Sequence, residues 1–264
     1  MDFRWPLDPS KHLDENMEQD PVTGSRPLKS QASAELLKHI MTCKRESKSV
    51  AVFDLDSTLL NNFPRQCKIL REFGDVCGEA RLNDVKREDW IDWDFRPPMA
   101  AVGLSKERIE ELAEDFRSFW MERFFTSAYC MVDDEIQGGS RFVSTLHRQG
   151  DKIIYVTGRQ ESMREGTELC LKKLSFPVPD GSSTKLWMKP LLKDDDDLFK
   201  SQIKRKLDKE GEVFALFDNE PTHINRYKEL YPFANVIHMA TDHSKRPVIL
   251  NPEIPSIRNF LMPL

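Results

Sequence analysis

The chain has 264 residues, of which 39% are apolar and 31% charged, with a formal net charge of -5 and a pI near 5.8. That length suits one large domain or a core carrying a smaller insert, and the composition supports a packed core and excludes wholesale disorder. The mildly acidic balance supplies no basic surface for non-specific nucleic-acid binding, and no stretch approaches the roughly 18–20 consecutive apolar residues of a membrane span.

Residues 1–32 are polar and proline-containing and read as a poorly ordered N-terminal arm. Their start, Met1-Asp2-Phe3-Arg4-Trp5-Pro6, lacks the basic and then apolar pattern of a secretory leader, so a cytoplasmic protein is expected. From Ser33 to about Cys43, Leu36, Leu37 and Ile40 recur at helical spacing. Ser49-Val50-Ala51-Val52-Phe53 is a compact apolar run ending at Asp54, as expected of a central buried strand. The segment 62–132 is too long for a plain crossover and reads as a small helical cap. Within it Ser105 caps a helix whose stripe of Ile109, Leu112, Ala113, Phe116, Phe119, Trp120 and Phe124 reads as cap core rather than a ligand box.

Three further apolar runs repeat the pattern of the first. Lys152 to Val156 follows a helix bearing Phe142, Val143 and Leu146 with Gly150 as its stop, and it ends at Thr157-Gly158-Arg159. Lys185 to Met188 ends at Lys189-Pro190, and Val213 to Phe217 ends at Asp218-Asn219-Glu220-Pro221, where Pro221 suits a helix start. A last run, Asn235 to Met239, reads as an edge strand. Strands alternating with helices imply an α/β fold, a Rossmann-like parallel sheet with helices on both faces. The core is expected over 33–61 and 133–264, with the cap inserted after its first strand. Ligands of such sheets bind beyond the strands' carboxyl ends, where Asp54, Thr157, Lys189 and Asp218 would converge. Five cysteines, Cys43, Cys67, Cys77, Cys130 and Cys170, are odd in number and lack C-x-x-C spacing, which points to reduced thiols rather than disulfides or a zinc cage.

The motif carrying most chemistry is Asp54-Leu55-Asp56-Ser57-Thr58. Two carboxylates two residues apart at a strand end can point into one crevice, where their repulsion calls for a cation between them. A hard divalent ion meets that need, and magnesium is usual beside phosphate.

Taken with Thr157 in Val156-Thr157-Gly158-Arg159 and with Asp218, this D-x-D-x-T pattern resembles the haloacid dehalogenase-like superfamily of phosphohydrolases, over about residues 49–240 apart from the insert. The resemblance implies a phosphatase in which Asp54 is the nucleophile and Asp56 the general acid and then base. It implies Mg2+ on Asp54, the backbone carbonyl of Asp56 and Asp218, with Asn219 or Glu220 holding water on the ion. The phosphoryl oxygens would be held at Leu55, Thr58, Thr157 and Gly158. Arg159 would contact substrate or pair with a cap carboxylate. The lysine of the third motif is Lys200 or Lys189, with Lys200 favoured because Leu186 to Pro190, the acidic run, Lys200 and Asp218 look similar to polynucleotide 3'-phosphatase domains. Asp194 to Asp197 reads as dipole-favouring acid ahead of a helix that starts at Lys200 and is patterned by Phe199, Ile203 and Leu207. His238 and His243 read as packed or solvated. The expected partner is a small phosphorylated metabolite or nucleotide, with no membrane, and with nucleic acid only as an end substrate. A phosphomutase and a non-catalytic binding protein of the same fold are the alternatives.

Overall fold

The computed structural model describes residues 1–45 and 49–262; the expected core ranges also include 46–48 and 263–264, which lie outside the described residues. In chain order the strands are β1 (Ser49–Phe53), β2 (Leu60–Asn61), β3 (Asp134–Glu135), β4 (Lys152–Gln160), β5 (Thr184–Lys189), β6 (Glu212–Asp218), β7 (Asn235–Met239) and β8 (Ser256–Ile257). The helices are α1 (Ser30–Thr42), α2 (Phe63–Cys77), α3 (Arg96–Ala101), α4 (Lys106–Phe124), α5 (Ser127–Cys130), α6 (Gly139–Arg148), α7 (Arg164–Lys173), α8 (Asp196–Ser201), α9 (Lys204–Glu210) and α10 (Pro221–Leu230).

Six strands form one all-parallel sheet in the order β5-β4-β1-β6-β7-β8. Alternation along the strands splits the core in two. Ala51, Phe53, Ile153 and Tyr155 face α1, α6 and α7, whereas Val50, Val52, Ile154 and Val156 face α9 and α10. Both faces are therefore covered, which is why these strands read as continuous apolar runs. The chain runs from β1 to β4 and β5 on one side, then crosses to β6 on the other. The carboxyl end of β1 is thus the switch point where a parallel sheet opens a crevice.

The insert is bracketed by the antiparallel pair β2–β3, with Leu60 opposite Glu135. Between those strands, α2, α3 and α4 bury their own apolar cluster, which includes Phe73, Met99, Leu112 and Phe116. Ser105 caps α4 by accepting the Arg108 N–H at 3.3 Å.

Three expectations are corrected. The run Asn235–Met239 is not an edge strand, because β8 pairs with it and all five of its residues are buried. The two residues of β8 are too few to carry a strand pattern. Lys200 lies in the last turn of α8 rather than at a helix start. The break after α8 turns Lys200 toward the carboxyl ends of the strands while Ile203 and Leu207 pack on the sheet. The N-terminal arm has little regular structure, yet it is packed rather than loose. Phe3 is buried against Phe214 and donates its N–H to Phe233 at 2.8 Å, while Leu28 donates to Ser256 at 2.8 Å. Isolated apolar anchors joined by backbone hydrogen bonds leave no periodicity for a sequence reading to detect.

Candidate active site

At the end of β1 the chain leaves the sheet through a tight loop in which the Leu55 carbonyl accepts the N–H groups of Thr58, Leu59 and Leu60. Ser57 takes a left-handed conformation there, with φ of 57°, a local cost that surrounding contacts must hold in place. This loop projects Asp54 and Asp56 into a crevice of about 450 Å³ at the switch point.

Asp54 and Asp218, at the ends of adjacent strands, share a single cation. Lys200 Nζ lies 2.6 Å from Asp54 Oδ1 and 2.7 Å from Asp218 Oδ2, and all three side chains are buried. Asp218 Oδ1 also accepts the Glu220 N–H at 2.9 Å and lies 3.3 Å from His223 Nδ1. Asp54 Oδ2 accepts no hydrogen bond among the described residues. Burial, with the like charges of Asp218 and Asp56, raises the Asp54 carboxyl well above the usual range, although Lys200 opposes the shift. Burial pushes Asp218 the same way, but Lys200 and His223 outweigh it and hold that carboxyl below the usual range. Lys200 stays firmly protonated, since its two carboxylates outweigh the burial that disfavours its charge.

Asp56 belongs to a second charge network. Arg159 grips it through Nε at 2.9 Å and Nη2 at 2.6 Å, and reaches Asp133 at 2.7 Å. Asp133 is fully buried and also pairs with Arg65, which α2 sends down from the cap. Burial would raise the Asp56 carboxyl, but the Arg159 charge wins and lowers it to about 2. Asp56 is therefore ionised. Arg159 thus finds its carboxylate partners in the loop after β1 and at Asp133, just beyond the expected cap boundary.

Of the residues singled out from sequence, Asp54, Asp56, Phe124, Gly158, Arg159, Asp196, Lys200, Asn219, Glu220 and His243 line the crevice. Leu55, Thr58 and Thr157 are fully buried and do not line it. The Thr58 hydroxyl donates to Asn219 Oδ1 at 3.2 Å, and the Thr157 hydroxyl accepts the Arg159 N–H at 3.2 Å. Gly158 leaves room for Asp196, since a Cβ there would sit 2.9 Å from Asp196 Oδ1. Lys189 is buried but engages that same Asp196, at 2.7 Å, rather than Asp54 or Asp218. Asn219 is tethered by donating to the Asp242 carbonyl at 2.6 Å, and Glu220 accepts the Ser244 N–H at 3.0 Å. His238 is buried and His243 faces Asp20 at 3.1 Å. Sequence reasoning missed His223, Arg65 and Asp133. His223 sits one helical turn into α10, and no local pattern separates it from a surface histidine.

Among the described residues no three His, Cys, Asp or Glu side chains gather closely enough to cage a metal by themselves. The donor set still fits a hard divalent ion that takes few protein ligands and keeps others from water and substrate. Two buried carboxylates sharing one ammonium, with one pushed toward protonation, form a site that a further cation would relieve. No helix among the described residues is long and apolar enough to cross a membrane.

The chain matches no family model and no curated protein. Among solved structures it is similar to haloacid dehalogenase-like hydrolases and phosphatases. One is a putative phosphatase from Clostridium difficile, at 14% identity and a TM-score of 0.46, over 74% of this chain and 86% of that one. Another is a haloacid dehalogenase-like family hydrolase from Streptococcus pneumoniae, at 12% identity and a TM-score of 0.40, over 74% of this chain and 86% of that one. A class C acid phosphatase from Bacillus anthracis, with tungstate bound, matches at 14% identity and a TM-score of 0.41 over 72% of this chain, which spans only 60% of that protein. The likeness is one of fold outline, and the chemistry below rests on this chain's own residues.

Proposed function

We propose that the chain is a magnesium-dependent phosphomonoesterase that works through an aspartyl-phosphate on Asp54. The observation that carries this reading is the buried Asp54–Lys200–Asp218 cluster beside Asp56, at the carboxyl end of the central strand. A binding scaffold has no physical need for three crowded carboxylates, whereas phosphoryl transfer needs a nucleophile, a proton carrier and cations in one place.

In this reading Asp54 Oδ2 attacks phosphorus and the bond to the leaving oxygen breaks as the acyl-phosphate bond forms. Asp56 delivers a proton to the leaving oxygen, then takes one from the water that attacks phosphorus, releasing inorganic phosphate and restoring Asp54. Because Arg159 holds Asp56 ionised, the protonating half of that role requires the Arg159 fork to open when substrate enters. Lys200, already on Asp54, offsets charge on the transferring group. Magnesium would be held by Asp54, the Asp56 carbonyl and Asp218, with Asn219 beside them. It would supply charge neutralisation and keep both carboxylates ionised.

The test is phosphate release from an aryl phosphate, with magnesium and with chelator, for the wild type and Asp54→Asn. The amide is nearly isosteric but a poor nucleophile, so a loss of about a thousandfold or more is expected. An Asp54→Asn protein that retained most of the magnesium-dependent turnover would overturn the covalent route.

A further inference from the structure

We infer that the substrate's leaving group is an uncharged alcohol bearing an aromatic ring, received on Trp93; this rests on the phosphatase reading above. Two independent features of the crevice point there.

The first is charge. Every cationic or imidazole side chain lining the crevice, among the described residues, already has an acidic partner. Arg65 is on Asp133, Arg159 on Asp56 and Asp133, and Lys200 on Asp54 and Asp218. His223 Nδ1 lies 3.3 Å from Asp218 Oδ1, while its Nε2 comes within 2.9 Å of Asp197 without a hydrogen bond, and His243 faces Asp20 at 3.1 Å. Lys200 and the metal-binding end can meet one transferring phosphoryl group. When the fork on Asp56 opens, Arg159 is still held by Asp133 at 2.7 Å, so a second anion on the leaving group would have to compete with Asp133 for it, and burying an under-compensated charge is costly. A nucleic-acid end, with its neighbouring phosphates, is a poor occupant by the same count.

The second is shape. The wall beyond the carboxylates is apolar, formed by Trp93, Phe124 and Phe125 from the cap and by Met163 from the core. Phe124 is spent on packing, stacked on Trp120 with centroids 4.5 Å apart. Trp93 stands nearly perpendicular to both, at 75° to Phe124 and 86° to Trp120, and leaves 37% of its surface uncovered. A large flat ring left part-open in an otherwise packed wall offers its π surface to another ring. A volume of about 450 Å³ has room for a substituted aromatic phosphate.

The experiment compares kcat/KM for 2-phenylethyl phosphate, ethyl phosphate and 2-(4-carboxyphenyl)ethyl phosphate, whose leaving groups are all simple primary alcohols. The wild type is expected to prefer phenylethyl over ethyl phosphate by roughly tenfold or more, a typical size for one good aromatic contact. The carboxylated probe should lose most of that advantage. Trp93→Ala should bring the phenylethyl-to-ethyl ratio close to unity, mainly through KM, while Trp93→Phe keeps most of it. Ile91→Ala, at an exposed cap position away from the crevice, should leave the ratio unchanged. A wild type that hydrolyses aryl phosphate but shows no phenylethyl preference, or accepts the carboxylated probe equally, overturns this inference and leaves the phosphatase reading intact. A wild type inactive on every phosphate tested sinks both.

Discussion

Lys200 and Lys189 are both buried lysines near the carboxyl ends of the strands, and their partners separate them. Lys200 serves Asp54 and Asp218, which are themselves buried, whereas the partner of Lys189 is Asp196, which is 47% exposed. Removing a cation from two buried carboxylates leaves charge that water cannot reach, and this typically costs about 3–5 kcal/mol. Removing one from an exposed carboxylate leaves charge that water solvates, for about 1 kcal/mol or less. Lys200→Met should therefore lower stability to urea by several kcal/mol and Lys189→Met by little. Adding magnesium should recover part of the Lys200→Met loss, because the ion restores positive charge between Asp54 and Asp218. Equal losses in the two variants would mean that the cluster is not the buried charge centre described above. From sequence the two lysines were separable only by resemblance, because the partner that sets Lys200 apart, Asp54, lies 146 residues away.

The element that decides the position of Lys200 is α8, only six residues long, and too short to hold itself in place. Each aspartate of the run at its start has a separate task. Asp194 accepts the Leu191 N–H at 2.9 Å, Asp195 caps the helix by accepting the Leu198 N–H at 2.7 Å, and Asp196 pairs with Lys189. Asp197 accepts the Thr222 hydroxyl at 2.9 Å and an Arg246 N–H at 3.2 Å, tying α8 to the start of α10. As sequence the run looked uniform, and the dipole argument covers only its shared charge. The apolar strands were legible because both sheet faces are covered, and the D-x-D pair because it directly follows one of them. The tie from Asp197 was not legible, since it depends on a loop nearly fifty residues downstream. Asp197→Asn should cost about tenfold or more in kcat/KM on an aryl phosphate by loosening the placement of Lys200. Its stability should change by about 1 kcal/mol or less, because Asp197 is 40% exposed. Asp194→Asn, which leaves the tie intact, is the matched control. Unchanged kinetics in Asp197→Asn would show that α8 is held by its packing alone.

At the scale of the whole molecule, the arm, the last two strands and the loop between them close the sheet on the β6 side. His238 lies within that closure. Its Nε2–H donates to the Asn219 carbonyl at 3.1 Å, and its Nδ1 accepts the Ser256 hydroxyl at 3.0 Å, so a neutral ring satisfies both contacts. Burial pushes the imidazole down to about 4 from its ordinary 6.5. The sign follows from which state takes the proton. Between those two values the unfolded chain binds a proton that the folded chain refuses, so stability is present above the upper value and is lost as pH falls toward the lower one. The full loss amounts to about 3 kcal/mol. Asp242 works in the opposite direction, because burial raises its carboxyl to about 8 from 3.8. Its contribution is present in acid and is lost as pH rises between those values. The two slopes overlap, so the wild-type curve alone cannot separate them, whereas a variant lacking the imidazole can. Urea unfolding at about pH 7 and about pH 4.5 should show His238→Gln losing some 2–3 kcal/mol less than the wild type over that interval. If both proteins lose the same amount, His238 accepts its proton inside the fold, and the β6 side opens to water more readily than its burial implies.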